Sequence, residues 1–245
     1  QISYIWQSTA TQKGPIMKEE HALEIIRATR TFRNLPANLV DKLAHSVRYE
    51  HYRQEHLLLQ AAQPWENLYF VISGFIEARQ RTVTGLETSA IPVQKGGWVS
   101  WGGIFPVQTN NLIRSEIWVS GNSQLLTIPC AQIRQVAREW PQLYVQVIEE
   151  VNYLIYFMHD VLFFNNLLSG IKKVGRTLLY YNAISSCKDS TIIIVTQERL
   201  AQTLNISRQT LSLHLQELQQ KKFLTVGYGR IKILDIERLR KYTNI

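Results

Sequence analysis

The residues whose chemistry is easiest to interpret lie near the end of the chain, in the segment NISRQTLSLHLQELQQKKFL from Asn205 to Leu224. The guanidinium of Arg208 and the amide of Gln209 stand side by side there, directly after Ser207. Both side chains offer several hydrogen-bonding groups at once. The segment therefore indicates a surface that recognises another molecule rather than one that transforms it.

Helical spacing divides this segment into two faces. Three leucines at i, i+4 and i+7 share one face, which we expect to enter a core: Leu211, Leu215 and Leu218. The same spacing places a mostly polar set on another face: Gln209, Leu213 and Gln216. A helix of this kind can be anchored in a domain and still present a recognition surface.

The flanking residues predict a helix-turn-helix followed by a hairpin. Thr196 can cap a first helix that runs to Leu204. Asn205 suits a left-handed turn, and Ser207 can cap the second helix. Downstream, FLTVGYGRIKILD has the pattern of two strands around a Gly-Tyr-Gly turn, and the second strand carries two basic residues, Arg230 and Lys232. Two helices joined by a tight turn also occur as a purely structural motif, but together with a basic hairpin they form a winged helix, whose second helix enters a DNA major groove.

The distribution of charge favours the same partner. The chain of 245 residues has a formal net charge of +8. From Ile171 to Ile245 there are 13 Lys and Arg residues against 5 Asp and Glu residues, so this last part carries the whole excess. A solvated basic face is the alternative, but a basic module attached to a neutral one is usually a polyanion-binding module.

The part of the chain before this module divides into a β-rich region and one long helix. Short runs bounded by turn residues predict strands within Val47–Arg53, Asn67–Thr82 and Gln124–Pro129, and their spacing favours an antiparallel sandwich or barrel. From Gln142 to Leu168 there is neither Pro nor Gly, which predicts one long helix, ended by Gly170.

Apolar residues recur along this long helix at steps of four and three, apart from one gap, as in a coiled coil. A core helix within one chain is the alternative, but a length close to four heptads favours a dimer. The predicted dimer seam consists of Val147, Val151, Leu154, Met158, Val161 and Leu168.

Other classes of protein find little support. The composition is that of a soluble protein, with 45% hydrophobic residues and no apolar run of about 18 residues to suggest a membrane span. Cys130 and Cys187 lack a CxxC partner, which favours a reducing, cytoplasmic setting. The histidines show no metal-ligand spacing, and there is no catalytic-triad order, P-loop or GxGxxG motif. We expect no catalytic residue, no metal site and no enzymatic activity.

The order of these parts resembles the CRP/FNR family of bacterial transcription regulators, from about Thr31 to Asp235. NLYFVISGFIEA is similar to the family's LYFVLSGxV strand pair, and ISRQTLSLHLQEL is similar to its xSRETVxRxLxxL recognition helix. GRTLLYY is similar to the segment that leads into its DNA-binding domain. The resemblance implies an α+β fold of two domains: an N-terminal double-stranded β-helix, which is a jelly roll like those that bind cyclic nucleotides, a long dimerisation helix, and a C-terminal winged helix-turn-helix.

The implied organisation has four parts. They are an N-terminal extension and helix (1–30), a β-roll sensor domain (31–140), the dimerisation helix (141–170) and the winged helix-turn-helix DNA-binding domain (171–245).

The resemblance also implies roles in DNA recognition. The family's Ser-Arg-Glu-Thr corresponds to Ser207, Arg208, Gln209 and Thr210, so Arg208 is the expected reader of guanine O6 and N7. Gln209 replaces a Glu that often accepts from cytosine N4, and its amide suits adenine instead. Leu213 replaces a frequent second Arg and offers apolar contact. The predicted DNA contacts are Thr196, Ser207, Arg208, Gln209, Thr210, Ser212, Leu213, Gln216, Arg230 and Lys232.

The sensor region departs from the family pattern. In members that bind cyclic nucleotides, a Glu holds the ribose hydroxyl and an Arg-Ser or Arg-Thr pair holds the phosphate. Arg114 and Ser115 match that pair, but Trp101 stands where the Glu belongs, and Val161 and Leu162 replace the polar pair that holds adenine in the best-known member. We expect Trp101 to fill the ribose space and exclude cyclic AMP. Candidates for a ligand pocket are Trp98, Trp101, Arg114, Ser115, Phe157 and Val161.

The sequence thus predicts a homodimeric, sequence-specific, DNA-binding regulator of transcription. Its expected partners are a near-palindromic duplex, a second copy of the chain and RNA polymerase, with no membrane. No resident cofactor is expected, and the effector is unassigned. The alternative is a sensor of a nucleotide or apolar metabolite, in which ligand binding to the β-roll is the main role.

Overall fold

A computed structural model describes residues 19–81, 87–90, 92–105, 115–168, 170–184 and 191–244 of the chain. The helices within these residues are α1 (Glu19–Ala28), α2 (Ala37–Ala44), α3 (Cys130–Glu139), α4 (Gln142–Leu167), α5 (Gly170–Ile184), α6 (Gln197–Leu204), α7 (Arg208–Gln220) and α8 (Ile236–Thr243). The strands are β1 (Arg48–Tyr52), β2 (His56–Leu59), β3 (Asn67–Ser73), β4 (Phe75–Arg81), β5 (Glu87–Ser89), β6 (Val93–Gln94), β7 (Trp98–Val99), β8 (Glu116–Val119), β9 (Ser123–Pro129), β10 (Ile192–Ile194), β11 (Leu224–Gly227) and β12 (Arg230–Ile233).

Strands β1 to β9 form a roll of two facing antiparallel sheets. One sheet has the order β1-β9-β3-β7, and the other has β2-β8-β4-β5 with β6 beside β4. Alternation along the strands sends every second side chain into the space between the sheets. That interior cluster consists of Tyr52, Tyr69, Val71, Ile76, Ile117, Val119 and Leu125. The predicted antiparallel roll is confirmed.

The outer face of the first sheet is covered by helices. Leu68 of β3 and Ile128 of β9 point to this side, opposite to their inward neighbours, and both are completely buried. Helices α1 to α3 and the first turns of α4 pack over them, with Phe32 and Leu143 in the same cluster. Each large side chain buried in this way stabilises the fold by about 1.5–3 kcal/mol.

Helix α4 extends from this layer as one continuous helix of 26 residues, which is about 39 Å long at 1.5 Å per residue. It ends at Leu167, and Leu168 caps it by donating its N–H to the carbonyl of Phe164 at 2.8 Å. The predicted long helix is confirmed. Gly170, however, has a positive φ of 55° and begins α5 instead of ending α4. None of the described helices is long and apolar enough to cross a membrane.

Helices α5 to α8 surround a small sheet of order β10-β12-β11. Their buried core includes Leu178 of α5, Leu200 of α6, Ile231 of β12 and Leu239 of α8, together with the three leucines of α7. This arrangement is a winged helix-turn-helix, as the sequence predicted.

Candidate nucleic-acid interface

The turn between α6 and α7 follows from three capping contacts. Thr196 Oγ1 accepts a hydrogen bond from the N–H of Arg199 at 3.2 Å and so begins α6. Asn205 ends that helix in the left-handed region, with φ 53° and ψ 47°, a conformation that Asn tolerates better than most residues. The N–H of Ile206 then donates to the carbonyl of Ala201 at 3.1 Å. These contacts fix the direction in which α7 starts.

Ser207 caps the start of α7. Its Oγ accepts a hydrogen bond from the N–H of Thr210 at 3.0 Å and lies 2.8 Å from Thr210 Oγ1. A cap of this type stabilises a helix by about 1 kcal/mol. The remaining N–H groups of the first turn, together with the helix dipole, favour an anion such as a phosphate at this end. The sequence-predicted cap is confirmed.

Helix α7 separates its two faces as its leucine spacing predicts. Leu211, Leu215 and Leu218 are completely or almost completely buried. Leu213 is 66% exposed, and Ser212 is half-buried. The other predicted contacts of the helix-turn-helix are all exposed: Thr196, Ser207, Arg208, Gln209, Thr210 and Gln216. The two faces are confirmed, while contact of the exposed face with DNA stays a prediction.

The hairpin of β11 and β12, called the wing below, supplies a basic surface beside these helices. Arg230 and Lys232 are exposed and alternate with the buried Ile231 and Ile233. The N–H of Val195 donates to the carbonyl of Gly229 at 3.1 Å, so the turn of the wing lies next to the start of α6. The cap of α6, the exposed face of α7 and the wing therefore belong to one compact domain.

The structure corrects part of the predicted dimer seam. Val147 is completely buried in its own chain, in the cluster between α4 and the first sheet, and Leu168 is also buried. Val151 and Leu154 are half-buried against the same cluster. The first turns of α4 thus use this face to cover their own domain, and Val147 cannot contact a second chain without leaving the core. Of the other seam residues, Met158 is exposed and Val161 is half-buried.

A different face of α4 is exposed and apolar. Its large side chains repeat every seven residues and are called the exposed stripe: Ile148, Ile155 and Leu162. Ile155 is 59% exposed and Leu162 is 62% exposed. Between and after them, at steps of four and three, lie three exposed polar residues, Asn152, His159 and Asn166. The sequence contains this heptad pattern, but α4 is apolar on several faces, so the pattern did not stand out.

The aromatic candidates for a ligand pocket fall in two places. Trp98 and Trp101 lie together, with ring centroids 5.9 Å apart, and Phe32 is 6.4 Å from Trp101. Trp101 is buried in the cluster on the outer face of the first sheet rather than in the interior of the roll. This position corrects the expectation that Trp101 fills the space of a ribose. It packs the helical layer onto the sheet instead.

The remaining pocket candidates do not join that cluster. Phe157 packs edge-on against Tyr180 of α5 at 5.3 Å, and Val161 lies one turn further along α4. Ser115 is half-buried immediately before β8, and Arg114 lies outside the described residues. Among the described residues, the interior cluster of the roll contains the buried Tyr52 and Tyr69, and Trp65 is partly buried against it.

Comparison with protein families identifies the C-terminal domain. Residues 172–242 match the model of the Crp-like helix-turn-helix domain. The C-terminal domain is therefore a Crp-like helix-turn-helix domain. No curated protein sequence matches it.

Solved structures share the CRP/FNR fold over most of the chain. FixK2 from Bradyrhizobium japonicum is 14% identical, with a TM-score of 0.66 over 80% of this chain and 96% of FixK2. A putative cAMP-binding regulatory protein from Silicibacter pomeroyi is 19% identical, with a TM-score of 0.60 over 92% and 100% of the two chains. A putative CRP/FNR regulator from Eubacterium rectale is 17% identical, with a TM-score of 0.52 over 86% and 96%. At these identities the likeness shows the fold alone.

Proposed function

We propose that the protein is a homodimeric regulator of transcription that binds a near-palindromic DNA site through α7. The observation that carries this proposal is the division of α7 into a buried leucine face and an exposed polar face, next to a basic wing. The buried face anchors the helix in its domain, and the exposed face presents amide and guanidinium groups that can hydrogen-bond the edges of base pairs in a major groove.

Each exposed residue of this surface has a distinct role in the proposal. Arg208 hydrogen-bonds guanine O6 and N7, Gln209 pairs with adenine N6 and N7, and Leu213 contacts a thymine methyl group. Residues at the helix starts and on the wing bind phosphates and so set the register without reading bases: Thr196, Ser207, Thr210, Arg230 and Lys232. Ser212 and Gln216 line the next turn of the same face. This division of roles predicts two different effects of substitution. Loss of a base-reading residue should change the preference at one base position, whereas loss of a phosphate-binding residue should weaken the affinity for all sequences alike.

The dimer forms along the exposed stripe of α4, with residues 141–170 as the dimerisation segment between a sensor domain and the DNA-binding domain. Covering Ile148, Ile155 and Leu162 of both chains would stabilise the pair by about 1.5–3 kcal/mol for each side chain. Asn152 and Asn166 at intervening positions favour one register and two strands, because a polar group at such a position is satisfied only opposite its counterpart. Two-fold symmetry of the protein then requires a near-palindromic site.

The sensor roll would take an effector other than cyclic AMP. In the sequence, Trp101 stands where cyclic-nucleotide-binding members of the family carry the Glu that holds a ribose hydroxyl, and Trp101 packs outside the roll, so that carboxylate is missing. We propose RNA polymerase as the further partner through which the dimer acts on transcription.

Selection from a pool of random duplexes tests the DNA-binding proposal. The wild type should enrich a near-palindrome with half-sites about one helical turn apart. Arg208→Ala should cost about 1–3 kcal/mol and relax the preference at one base position of each half-site. Lys232→Ala is the matched control, since it removes the same charge. It should enrich the same motif while the slope of log affinity against log salt falls by about one. Absence of any motif for the wild type, or equal and sequence-independent losses in both variants, would contradict the proposal.

A further inference from the structure

A buried ion-pair cluster joins the sensor roll to the DNA-binding domain. The carboxylate of Glu77, on β4, is completely shielded from solvent. Its Oε1 lies 2.9 Å from Nη2 of Arg199 on α6 and 2.5 Å from Nε of Arg79 on the same strand. Arg79 extends the cluster outward by donating from both terminal nitrogens to Glu55. We call Glu77, Arg79 and Arg199 the clamp.

Two further polar contacts lie beside the clamp and cross the same boundary. Nε2 of Gln94, on β6, donates to the carbonyl of Ile194 on β10 at 2.8 Å. Ser89 Oγ, on β5, lies 3.4 Å from Thr203 Oγ1 on α6. Strands β4, β5 and β6 of the roll therefore meet the first elements of the helix-turn-helix at three separate points.

Burial of the Glu77 carboxylate costs free energy unless the guanidinium groups of both Arg79 and Arg199 are next to it. Burial raises the pKa of Glu77, and Arg199 and then Arg79 oppose that shift. Its second oxygen, Oε2, is buried without a hydrogen-bond partner among the described residues. Replacing such pairs by apolar groups is often neutral or stabilising, so a buried pair contributes little to stability but leaves an uncompensated charge when one partner departs. A different docked position that kept Glu77 buried but moved Arg199 away would leave the carboxylate with Arg79 alone, so the clamp favours the single position in which Arg199 reaches Glu77.

The clamp also lies between the interior of the roll and the recognition helix. Ile76, the neighbour of Glu77 on β4, points into the interior cluster, so an occupant of the roll that moves β4 also moves Glu77. Arg199 is in the first turn of α6, and α6 packs against α7 through Leu200 and Leu204 in the core of the DNA-binding domain.

We propose that Glu77 is a positioning residue that fixes the orientation of the DNA-binding domain on the sensor roll, and thereby the separation of the two recognition helices. The inference rests on the proposed function as a DNA-binding dimer. In a dimer joined along α4, the position of each recognition helix depends on how its DNA-binding domain is docked on the sensor roll. The clamp therefore determines which spacing of half-sites is bound best, while each half-site is still read by α7 alone.

Affinities for three duplexes test this role: the selected palindrome, the same palindrome with one extra base pair between its half-sites, and a single half-site. Glu77→Gln removes the charge at nearly constant size. The ratio of the first two affinities should fall by about fivefold or more, the lower end of typical coupling between sites, while half-site affinity is unchanged. Glu139→Gln is the matched control. It removes a carboxylate from the exposed pair with Lys42, outside the clamp, and should keep the wild-type ratio.

Arg199→Gln removes the clamp residue that belongs to the DNA-binding domain. This variant is used in place of Glu77→Gln if Glu77→Gln does not fold. Removal of the Arg199 charge should weaken the affinity for both palindromes equally, so this effect cancels in the ratio of the two affinities. The ratio itself should fall as it does for Glu77→Gln. A wild-type ratio in a folded clamp variant would overturn the positioning role while leaving the DNA-binding proposal intact. A fall in half-site affinity equal to the fall for the palindrome would also overturn it, because the clamp would then act on α7 itself. Failure of the wild type to prefer any sequence would instead refute the proposed function.

Discussion

Helices α4 and α7 both bury one face in their own chain and expose another, but the two exposed faces differ in chemistry. Helix α7 exposes a guanidinium, four glutamine amides and hydroxyl groups around a single leucine, whereas α4 exposes isoleucine and leucine at intervals of seven residues. Hydrogen-bonding groups remain satisfied by water until a polar partner replaces it. A row of large apolar side chains gains free energy only when another apolar surface covers it. The comparison therefore supports the two proposals made above, a nucleic acid as the partner of α7 and a second copy of the chain as the partner of α4.

The largest effect is expected when charges are placed on the exposed stripe, because this tests whether the apolar face of α4 is the dimer interface. Ile155→Asp combined with Leu162→Asp should give monomers in sedimentation experiments, because four carboxylates would lie in the dimer interface. Operator affinity, measured by fluorescence anisotropy, should fall by about 10²–10⁴-fold, since the second half-site is no longer bound within the same complex.

Tyr153→Asp is the matched control, because Tyr153 is also exposed on α4 but does not belong to the stripe. It should leave the dimer intact. If the double variant stays dimeric, the stripe is not the interface. Val147→Asp should unfold the sensor domain instead of dissociating the dimer, because that side chain is buried in its own chain.

The two faces of α7 are distinguished by a smaller effect on stability. Leu215 is 1% exposed and Leu213 is 66% exposed, only two positions away. Leu215→Ala should lower the free energy of unfolding of the DNA-binding domain by about 2–5 kcal/mol, measured by urea denaturation. Leu213→Ala should change it by no more than about 0.5 kcal/mol and should alter only the preference among DNA sites. Comparable losses of stability in both variants would show that the exposed face of α7 packs against its own chain.

Short-range patterns were sufficient to predict α7. Its cap at Ser207, the left-handed Asn205 and the leucine face all depend on residues within about two turns of one another, and each is confirmed. The same reasoning located α4 but not the role of its faces. The seam predicted through Val147 fits a heptad pattern as well as the exposed stripe does, and only tertiary packing on the first sheet shows which face the chain itself covers.

Two other features depended on contacts that sequence spacing does not contain. Trp101 was expected inside the roll, but the direction of the chain after β7 places it on the outer face of the sheet with Phe32. The clamp joins Glu77 to Arg199, more than a hundred residues later in the chain, and neither residue belongs to a local motif. Such ion pairs become visible only once the two domains are docked.

A change of specificity at Gln209 tests the central claim most directly, because a misfolded variant can lose binding but cannot acquire a new preference. Gln209→Glu introduces the carboxylate that is typical of the family, which accepts from cytosine N4 where the amide suits adenine. Parallel selections with the wild type and this variant should yield near-palindromes that differ at one base position of each half-site, adenine for the wild type and cytosine for the variant. Identical motifs from the two proteins would show that the exposed face of α7 does not read the bases.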